Sequence, residues 1–312
     1  MNNGINVLSL FDGLSGGRIA LDQLGVSINN YYASEIDKKA IAVSKKNYPE
    51  IQHIGSVVDI NPDNLPIIDL LIGGSPCQNF SFAGNQKGTS TSCNIEITTL
   101  GQYLELKHNG FEFEGQSYLF WEYIRIYEIL KQKNPNLKFF LENVKMAKKW
   151  SNMFNETVGV DPIQINSEIV VPQLRNRLYW TNLSTPNPIA PIESSLSDIL
   201  ECGFVDRKKA YCIDANYFKG GNLKSYFQSS RRQLVFNDEE SYFKGIQELE
   251  SGNFKIKGLA RSLTPLETER VQGLPDNYTL CDGISKSARY HMIGNGWTIP
   301  VIKYFFSSLV LK

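Results

Sequence analysis

The sequence predicts an α/β fold in which helices cover both faces of a parallel sheet, together with a second, smaller domain. Short apolar runs alternate with helical patterns over the first 75 residues, which is typical of parallel strands buried on both faces. The chain has 312 residues, enough for one large or two modest domains. Between Trp180 and Gly258 the periodicity is lost, and prolines, aromatic residues and basic residues predominate.

The first elements are predicted as strand, helix, strand and helix. The apolar run 5–11 predicts a strand, and the glycine-rich turn 12–17 leads into apolar residues at helical spacing that end at Gly25. A second strand is predicted over 31–36. A second helix follows around Ala40.

Further along the chain, the pattern predicts a strand over 66–72 that ends at two glycines. The segment 80–116 lacks periodicity and is predicted as a long loop. A helix over 117–133, a strand over 137–141 and a closing helix over 298–309 complete the pattern.

Composition and charge exclude several classes of protein. Lysine plus arginine number 32, as do aspartate plus glutamate, so the chain as a whole is not coated in basic residues. Five cysteines without a C-x-x-C pair and three scattered histidines favour neither a disulfide framework nor a metal site. No apolar run approaches the ~18 residues of a membrane span. We therefore expect a cytoplasmic protein with no metal and no membrane partner.

The first candidate site is the turn after the first strand. Gly13 and Gly16 let the backbone approach a ligand, and Glu35 follows at the tip of the second strand, where a carboxylate can accept ribose hydroxyls. The turn lacks the G-x-G-x-x-G spacing, which favours an adenosine ligand other than a dinucleotide. An incidental tight turn beside a solvated glutamate is the alternative.

A cysteine lies just beyond the third predicted strand. Cys77 follows Gly73-Gly74-Ser75-Pro76, at the end of the sheet where open parallel sheets bind ligands. Pro76 fixes the backbone before it, and a thiolate is well suited to attack carbon. A buried structural cysteine is the alternative.

Two later segments also carry polar side chains next to apolar runs. Glu142 leaves such a run and would be partly desolvated, as suits a proton donor; a helix-capping role is the alternative. Gln173, Arg175 and Arg177 alternate in a strand-like stretch, so they would present donors on one face to a planar ligand or a phosphate. A solvated sheet edge would look similar.

Together these motifs resemble the DNA cytosine-5 methyltransferase family of bacteria and phages. The resemblance spans residues 5–310 apart from variable segments. It implies a Rossmann-like, S-adenosylmethionine-dependent methyltransferase domain, 1–182 completed by 286–312, and a target-recognition domain with hinge over 183–285. The motifs are Phe11-Asp12-Gly13-x-Ser15-Gly16-Gly17, Glu35, Gly74-Ser75-Pro76-Cys77-Gln78, Glu142-Asn143-Val144, Gln173-x-Arg175-x-Arg177, Arg261-Ser262-Leu263-Thr264-Pro265-x-Glu267 and Gly294-Asn295-Gly296.

The resemblance also implies roles for individual residues. Cys77 would add to carbon 6 of a flipped-out cytosine, and Glu142 would hold or protonate ring nitrogen 3. Arg177, with Arg175 beside it, would bind the base carbonyl and a nearby phosphate. S-adenosylmethionine would donate the methyl group to carbon 5 and leave as S-adenosylhomocysteine. Around the cofactor we expect Phe11, Gly13, Leu14, Gly16, Glu35, Ile36, Ser56, Val57, Pro76, Leu119, Asn295 and Gly296.

This chain departs from the family pattern at two cofactor positions. The family usually has aspartate where this sequence has Ser56, and serine where it has Gly296. The first change removes a carboxylate expected near the adenine amino group, and substitution by Asp59 is the alternative. The second removes a hydroxyl from the pocket.

Double-stranded DNA is expected to contact mainly the segment after Trp180, within which residues 206–232 are rich in basic residues. Seven basic residues stand there against two aspartates, a net charge of +5, with aromatic residues interleaved as in surfaces that stack on bases; a solvated lysine-rich face is the alternative. The basic residues are Arg207, Lys208, Lys209, Lys219, Lys224, Arg231 and Arg232, and the aromatic ones are Tyr211, Tyr217, Phe218, Tyr226 and Phe227.

Four further expectations concern partners and alternatives. The resemblance suggests a companion restriction endonuclease, and we expect a monomer or weak dimer. A tRNA cytosine-5 methyltransferase would share every catalytic residue. An inactive family member that acts as a binding or regulatory subunit is the alternative from a different functional class.

Overall fold

A computed structural model describes residues 4–81, 88–185 and 188–310. In the main sheet the strand order is β3-β2-β1-β4-β5-β7-β6. Strands β1 to β5 run parallel, whereas β7 is antiparallel to both β5 and β6. The predicted α/β fold is therefore confirmed, with one edge of the sheet reversed. The strands are β1 (Ile5–Leu10), β2 (Ile28–Ser34), β3 (Gln52–Gly55), β4 (Leu70–Gly74), β5 (Lys138–Val144), β6 (Ile163–Asn166) and β7 (Asn176–Thr181).

Side chains of the central strands alternate between two apolar clusters, one on each face of the sheet. Val7 and Ile72 belong to one cluster, while their neighbours Leu8 and Leu71 belong to the other. Because successive residues of a strand point to opposite faces, a strand buried on both sides is apolar over most of its length, with exceptions such as the buried Ser9 of β1. This explains why the central strands appear in the sequence as continuous apolar runs.

Ten α-helices lie in the described ranges, and none of them is long and apolar enough to cross a membrane. The first and last pack together: Gly16 lies against Ile299, so that a Cβ on the glycine would be 3.4 Å from Ile299 Cδ1. The two ends of the described chain thus meet beside β1. The helices are α1 (Gly16–Gln23), α2 (Lys38–Asn47), α3 (Leu100–His108), α4 (Leu119–Lys133), α5 (Lys148–Val158), α6 (Leu223–Phe227), α7 (Glu239–Glu250), α8 (Pro265–Gln272), α9 (Lys286–Asn295) and α10 (Ile299–Phe306).

The segment after β7 has small apolar cores of its own. Strands β8 (Leu234–Phe236) and β9 (Ala260–Ser262) pair antiparallel, and a cluster that includes Leu223, Tyr226 and Leu259 packs around them. The two strands have three residues each, too few to show a period, whereas the 12-residue helix α7 in the same part of the chain was not predicted.

The predicted loop 80–116 differs from the structure. Residues 82–87 lie outside the described part, but α3 and short strand bridges occupy 88–116. The fully buried carboxylate of Glu122 ties α3 to α4, since it accepts from Tyr103 Oη, from Lys107 Nζ at 2.6 Å and from Arg125 Nε at 2.7 Å. This part of the segment is therefore a folded unit anchored by a buried charge network.

Several strand boundaries also differ from prediction. Strand β2 covers 28–34 rather than 31–36, and β4 covers 70–74 rather than 66–72. Strand β5 continues to Val144, so Glu142 lies inside the strand. Strand β7 begins only at Asn176, so Gln173 and Arg175 precede it. The short elements β3, β6 and α5 were not predicted.

Candidate active site at the carboxyl ends of the central strands

Cys77 lies in a loop that hydrogen bonds fix to the neighbouring strand. Gly74, the last residue of β4, is paired with Glu142 of β5. Asn143 Nδ2 donates to the backbone oxygen of Ser75 at 3.2 Å and to its Oγ at 3.1 Å. The Cys77 carbonyl accepts from the backbone of Phe80 at 3.0 Å. The half-buried cysteine is thereby held beyond β4, next to the strand that carries Glu142.

The carboxylate of Glu142 has an ion-pair partner at one oxygen and a hydrogen-bond donor at the other. Arg177 Nε lies 3.1 Å from Oε1, and Trp297 Nε1 donates to Oε2 at 3.3 Å. The side chains of Glu142 and Arg177 are only 13% and 16% exposed, so water competes weakly for either charge. The orientation of the carboxylate is therefore set by two different elements of the fold.

Charges around Cys77 act on its thiol in opposite directions. Burial raises the pKa of Cys77 and the Glu142 carboxylate raises it further, whereas the guanidinium groups of Arg177 and Arg175 lower it. The net pKa of the thiol is raised, so the thiol form predominates near neutral pH. Burial alone would lower the pKa of Arg177. The nearby Cys212 and Glu142 outweigh burial, so the pKa of Arg177 is raised.

The residues expected to hold the cofactor include a carboxylate fixed by backbone donors. Gly13 N donates to Glu35 Oε2 at 2.8 Å, and the backbone nitrogens of Ile36 and Asp37 donate to Oε1, each at 2.8 Å. An ionised carboxylate offers about four lone-pair sites, so capacity for a hydroxyl remains. Ile36 beside it is 65% exposed, an apolar surface next to a fixed acceptor. This combination fits a ribose and its base.

The other expected cofactor residues surround the same end of the sheet. Phe11 and Leu119 pack against the apolar cluster in which Val57 is buried. Leu14 is buried beside Gly296, where a Cβ would lie 3.7 Å from Leu14 Cδ1. Ser56 and Pro76 are half-buried, while Asn295 is exposed and shares a hydrogen bond of 3.2 Å with His291.

Comparison with known proteins agrees with this geometry. Residues 5–103 and 201–310 match the family of C-5 cytosine-specific DNA methylases. The chain belongs to this family.

Individual relatives extend over nearly the whole chain. Type II methyltransferase M.HhaI of Haemophilus parahaemolyticus is 26% identical over 340 residues, covering 96% of this chain and 93% of the relative. Type II methyltransferase M.HaeII of Haemophilus aegyptius is 27% identical, and the match covers 97% of this chain and 92% of the relative. The chain is therefore a DNA cytosine-5 methyltransferase, as the sequence predicted, and both of these relatives are named type II methyltransferases.

Solved structures share the fold at lower identity. A DNMT2 mutant from Spodoptera frugiperda has a TM-score of 0.69 and 20% identity, covering 98% of this chain and 99% of that one. A prophage-encoded putative DNA modification methyltransferase from E. coli has a TM-score of 0.56 and 21% identity, with 98% of each chain covered. These likenesses support the predicted fold.

In this cytosine methylase the guanidinium of Arg175 binds backbone carbonyl groups. It is 4% exposed, and its NH1 donates to Ile213 O at 3.0 Å while NH2 donates to Gly294 O at 3.2 Å and Gly296 O at 2.9 Å. Gln173 accepts from Ile213 N at 2.8 Å. Both terminal nitrogens of Arg175 are thus occupied, which differs from the expectation of donors free for a base or a phosphate. A buried guanidinium must satisfy its donors within the protein.

Asp12 is a buried carboxylate that the sequence analysis did not single out. Its Oδ1 accepts from Tyr31 Oη at 2.9 Å, and Oδ2 accepts from Ser15 Oγ. Burial raises the pKa of Asp12 to about 6, although these hydrogen bonds act to lower it. Ser15 has a φ of 57°, so the network braces a left-handed residue in the glycine-rich turn. The presence of an acidic residue inside a glycine-rich turn was the sequence signal that could have identified Asp12.

Two aromatic residues expected to stack on DNA bases are instead core residues. Tyr217 and Tyr226 are 2% and 1% exposed, and Tyr217 Oη donates to Gln233 O at 2.7 Å. Their expected role was wrong because a small domain needs large apolar side chains to form a core. Phe218 is 42% exposed.

Some basic residues of this segment are also engaged within the protein. Lys209 Nζ donates to Val171 O at 3.2 Å. Asp214 lies 3.6 Å from Arg231 and 3.8 Å from Arg232. These contacts direct part of the segment's positive charge toward the protein, while its net charge stays at +5 because Asp214 is one of the two aspartates already counted.

Proposed function

We propose that this methyltransferase uses Cys77 as a nucleophile toward carbon 6 of a cytosine flipped out of double-stranded DNA. The observation that carries the proposal is the register between β4 and β5. Gly74 pairs with Glu142 there, so the loop with Cys77 begins beside the Glu142 and Arg177 ion pair. A nucleophile, a carboxylate and a guanidinium thus converge on one end of the sheet.

Each of these side chains has a chemical task in the proposal. Carbon 5 of cytosine is a weak nucleophile, and addition of a thiolate to carbon 6 makes the ring an enamine that reacts at carbon 5. Glu142 would bind ring nitrogen 3 and the amino group, and Arg177 would donate to the base carbonyl. Loss of the carbon 5 proton and cleavage of the carbon–sulfur bond then restore Cys77.

S-adenosylmethionine is the methyl donor used by methyltransferases of this type, and when bound it supplies an electrophilic methyl group. The fixed carboxylate of Glu35 would accept the ribose hydroxyls. Apolar side chains would flank the adenine, and the glycine-rich turn would approach the methionine part. The proposed contacts are Phe11, Gly13, Leu14, Gly16, Ile36, Ser56, Val57, Pro76, Leu119, Asn295 and Gly296.

The proposal also covers domains and partners. We assign 1–182 with 286–312 to catalysis, and 183–285 to target recognition and hinge. We place the enzyme in the cytoplasm of a bacterium or a phage-infected cell, acting as a monomer or weak dimer. Because its relatives carry the name of type II methyltransferases, we propose a companion restriction endonuclease.

The test combines a cellular and a purified assay. Bisulfite sequencing of DNA from cells that express the enzyme should show methylated cytosines in one short sequence context, and Cys77→Ala should show none. With labelled S-adenosylmethionine, the purified enzyme should methylate duplex DNA, and the variant should lose transfer while it still binds cofactor. Preferred methylation of tRNA would contradict the proposal that double-stranded DNA is the substrate. Absence of cofactor binding by calorimetry would favour an inactive binding subunit.

A further inference from the structure

The indole of Trp297 reaches the Glu142 carboxylate from a different part of the chain. Trp297 follows Gly296 and precedes α10, and its Nε1 donates to Glu142 Oε2 at 3.3 Å. Arg177 occupies the other side, with Nε 3.1 Å from Oε1. The ion pair at Oε1 and the N–H donor at Oε2 together fix both the position and the plane of the carboxylate. Loss of either partner would leave it free to rotate.

Two glycines hold the indole in place by close approach. A Cβ on Gly74 would lie 2.9 Å from Trp297 Nε1 and 3.0 Å from Glu142 Oε2, and one on Gly16 would lie 3.6 Å from Trp297 Cβ. Phe140 packs its ring edge to face at a centroid distance of 5.5 Å and an angle of 79°. The indole is therefore wedged between the glycine-rich turn and the end of β4.

We propose that Trp297 is a positioning residue whose indole N–H orients Glu142 toward the flipped cytosine. Because the same ring rests on Gly16, Trp297 also connects the turn expected to hold the cofactor with the carboxylate expected to bind the base. This inference depends on the proposed role of Glu142.

The orienting group is the N–H of the ring. Phenylalanine would fill part of the space without a donor. A benzothiophene ring would keep nearly the same shape, with sulfur in place of the N–H. If orientation matters, both replacements lower the rate of the chemical step by about tenfold, the loss expected when a hydrogen bond to a charged group disappears.

The experiment compares Trp297→Phe and replacement of Trp297 by β-(3-benzothienyl)alanine with the unmodified enzyme. The single-turnover rate of methyl transfer should fall about tenfold in both, with KM for DNA and Kd for S-adenosylmethionine within about twofold. Replacement of Trp180 by the same analogue is the matched control. Its Nε1 donates to Asn155 Oδ1 at 2.8 Å in the core, so that variant should lose stability and keep its transfer rate.

Glu142→Gln separates failure of this inference from failure of the proposed function. An unchanged rate with both Trp297 replacements, while Glu142→Gln loses transfer, would overturn the role of Trp297 and leave the proposed function intact. Full transfer by Glu142→Gln would refute both. A loss that follows weaker cofactor binding alone would show that Trp297 serves the cofactor, and would also overturn the inference.

Discussion

Arg177 and Glu142 meet across adjacent antiparallel strands. Arg177 is paired with Val144, two positions along β5 from Glu142, yet its Nε lies 3.1 Å from Glu142 Oε1. Residues two apart on a strand point to the same face, so the guanidinium leans along the strand to reach the carboxylate. Because both groups are mostly buried, neither charge is solvated well without the other.

Removal of this cation should cost stability as well as activity. Arg177→Met leaves the Glu142 carboxylate without its ionic partner, and we expect the free energy of unfolding in urea to fall by about 3 kcal/mol. Single-turnover methyl transfer should be lost. The double variant Arg177→Met/Glu142→Gln removes the unpaired charge, and should regain stability without regaining transfer. A double variant no more stable than Arg177→Met would show that the charge is not the cause.

A methyl group on Gly74 should disturb the same carboxylate. Gly74→Ala would place a carbon 2.9 Å from Trp297 Nε1 and 3.0 Å from Glu142 Oε2, and the rigid indole cannot move aside cheaply. We expect more than a tenfold loss of transfer rate and roughly 1–3 kcal/mol of stability. Gly101→Ala is the control, since nothing lies within 4 Å of its Cβ on helix α3. It should stabilise slightly. Equal effects of the two substitutions would contradict the packing argument.

Arg175 should matter for cofactor affinity more than for chemistry. Arg175→Lys cannot reach the carbonyls of Ile213, Gly294 and Gly296 together, because an ammonium lacks the planar fork of a guanidinium. We expect Kd for S-adenosylmethionine, measured by calorimetry, to rise about tenfold. Arg177→Lys, the matched control, should leave that Kd unchanged. An unaltered affinity of Arg175→Lys for S-adenosylmethionine would show that cofactor binding does not depend on the hydrogen bonds from Arg175 to these carbonyls.

Asp12 should make stability depend on pH. Its pKa is raised from 3.8 to about 6 by burial, so the folded state retains a proton that the unfolded chain releases. The stability contributed by protonated Asp12 is complete below pH ~4 and is lost as pH rises through ~6. Relative to Asp12→Asn, the wild type should lose roughly 3 kcal/mol between these limits. Denaturant unfolding of both proteins from pH 4 to 7.5 measures this loss of stability. If the free energies of unfolding of wild type and Asp12→Asn changed in parallel with pH, the raised pKa of Asp12 would be refuted.

The sequence allowed prediction of the sheet core because those strands are buried on both faces. β1 and β4 are apolar over nearly their whole length, so their signal does not depend on distant parts of the chain. β3 is a short edge strand without a fully buried residue, and nothing in its composition distinguishes it from a loop. The position of Cys77 and Glu142 at one end of the sheet followed from parallel topology alone.

Contacts between distant segments could not be predicted in the same way. Trp297 and Glu142 are 155 residues apart, and the only local signal was an aromatic residue after Gly294-Asn295-Gly296. Composition could not tell Tyr226, which is buried, from Phe218, which is exposed. Arg175 and Arg177 look alike in an alternating run. Strand β7 begins between them, at Asn176, and one guanidinium binds backbone carbonyls while the other pairs with a carboxylate.

The packing of α10 on α1 affects how the enzyme is made. Helix α1 emerges from the ribosome early, but Ile299, which covers Gly16, follows almost 300 residues later. Nascent chains thus carry an uncovered apolar stripe while residues 183–285 are translated, and chaperones can bind it. The contacts of Trp297 with Gly16 and Glu142 likewise form only after nearly the whole chain has been synthesised.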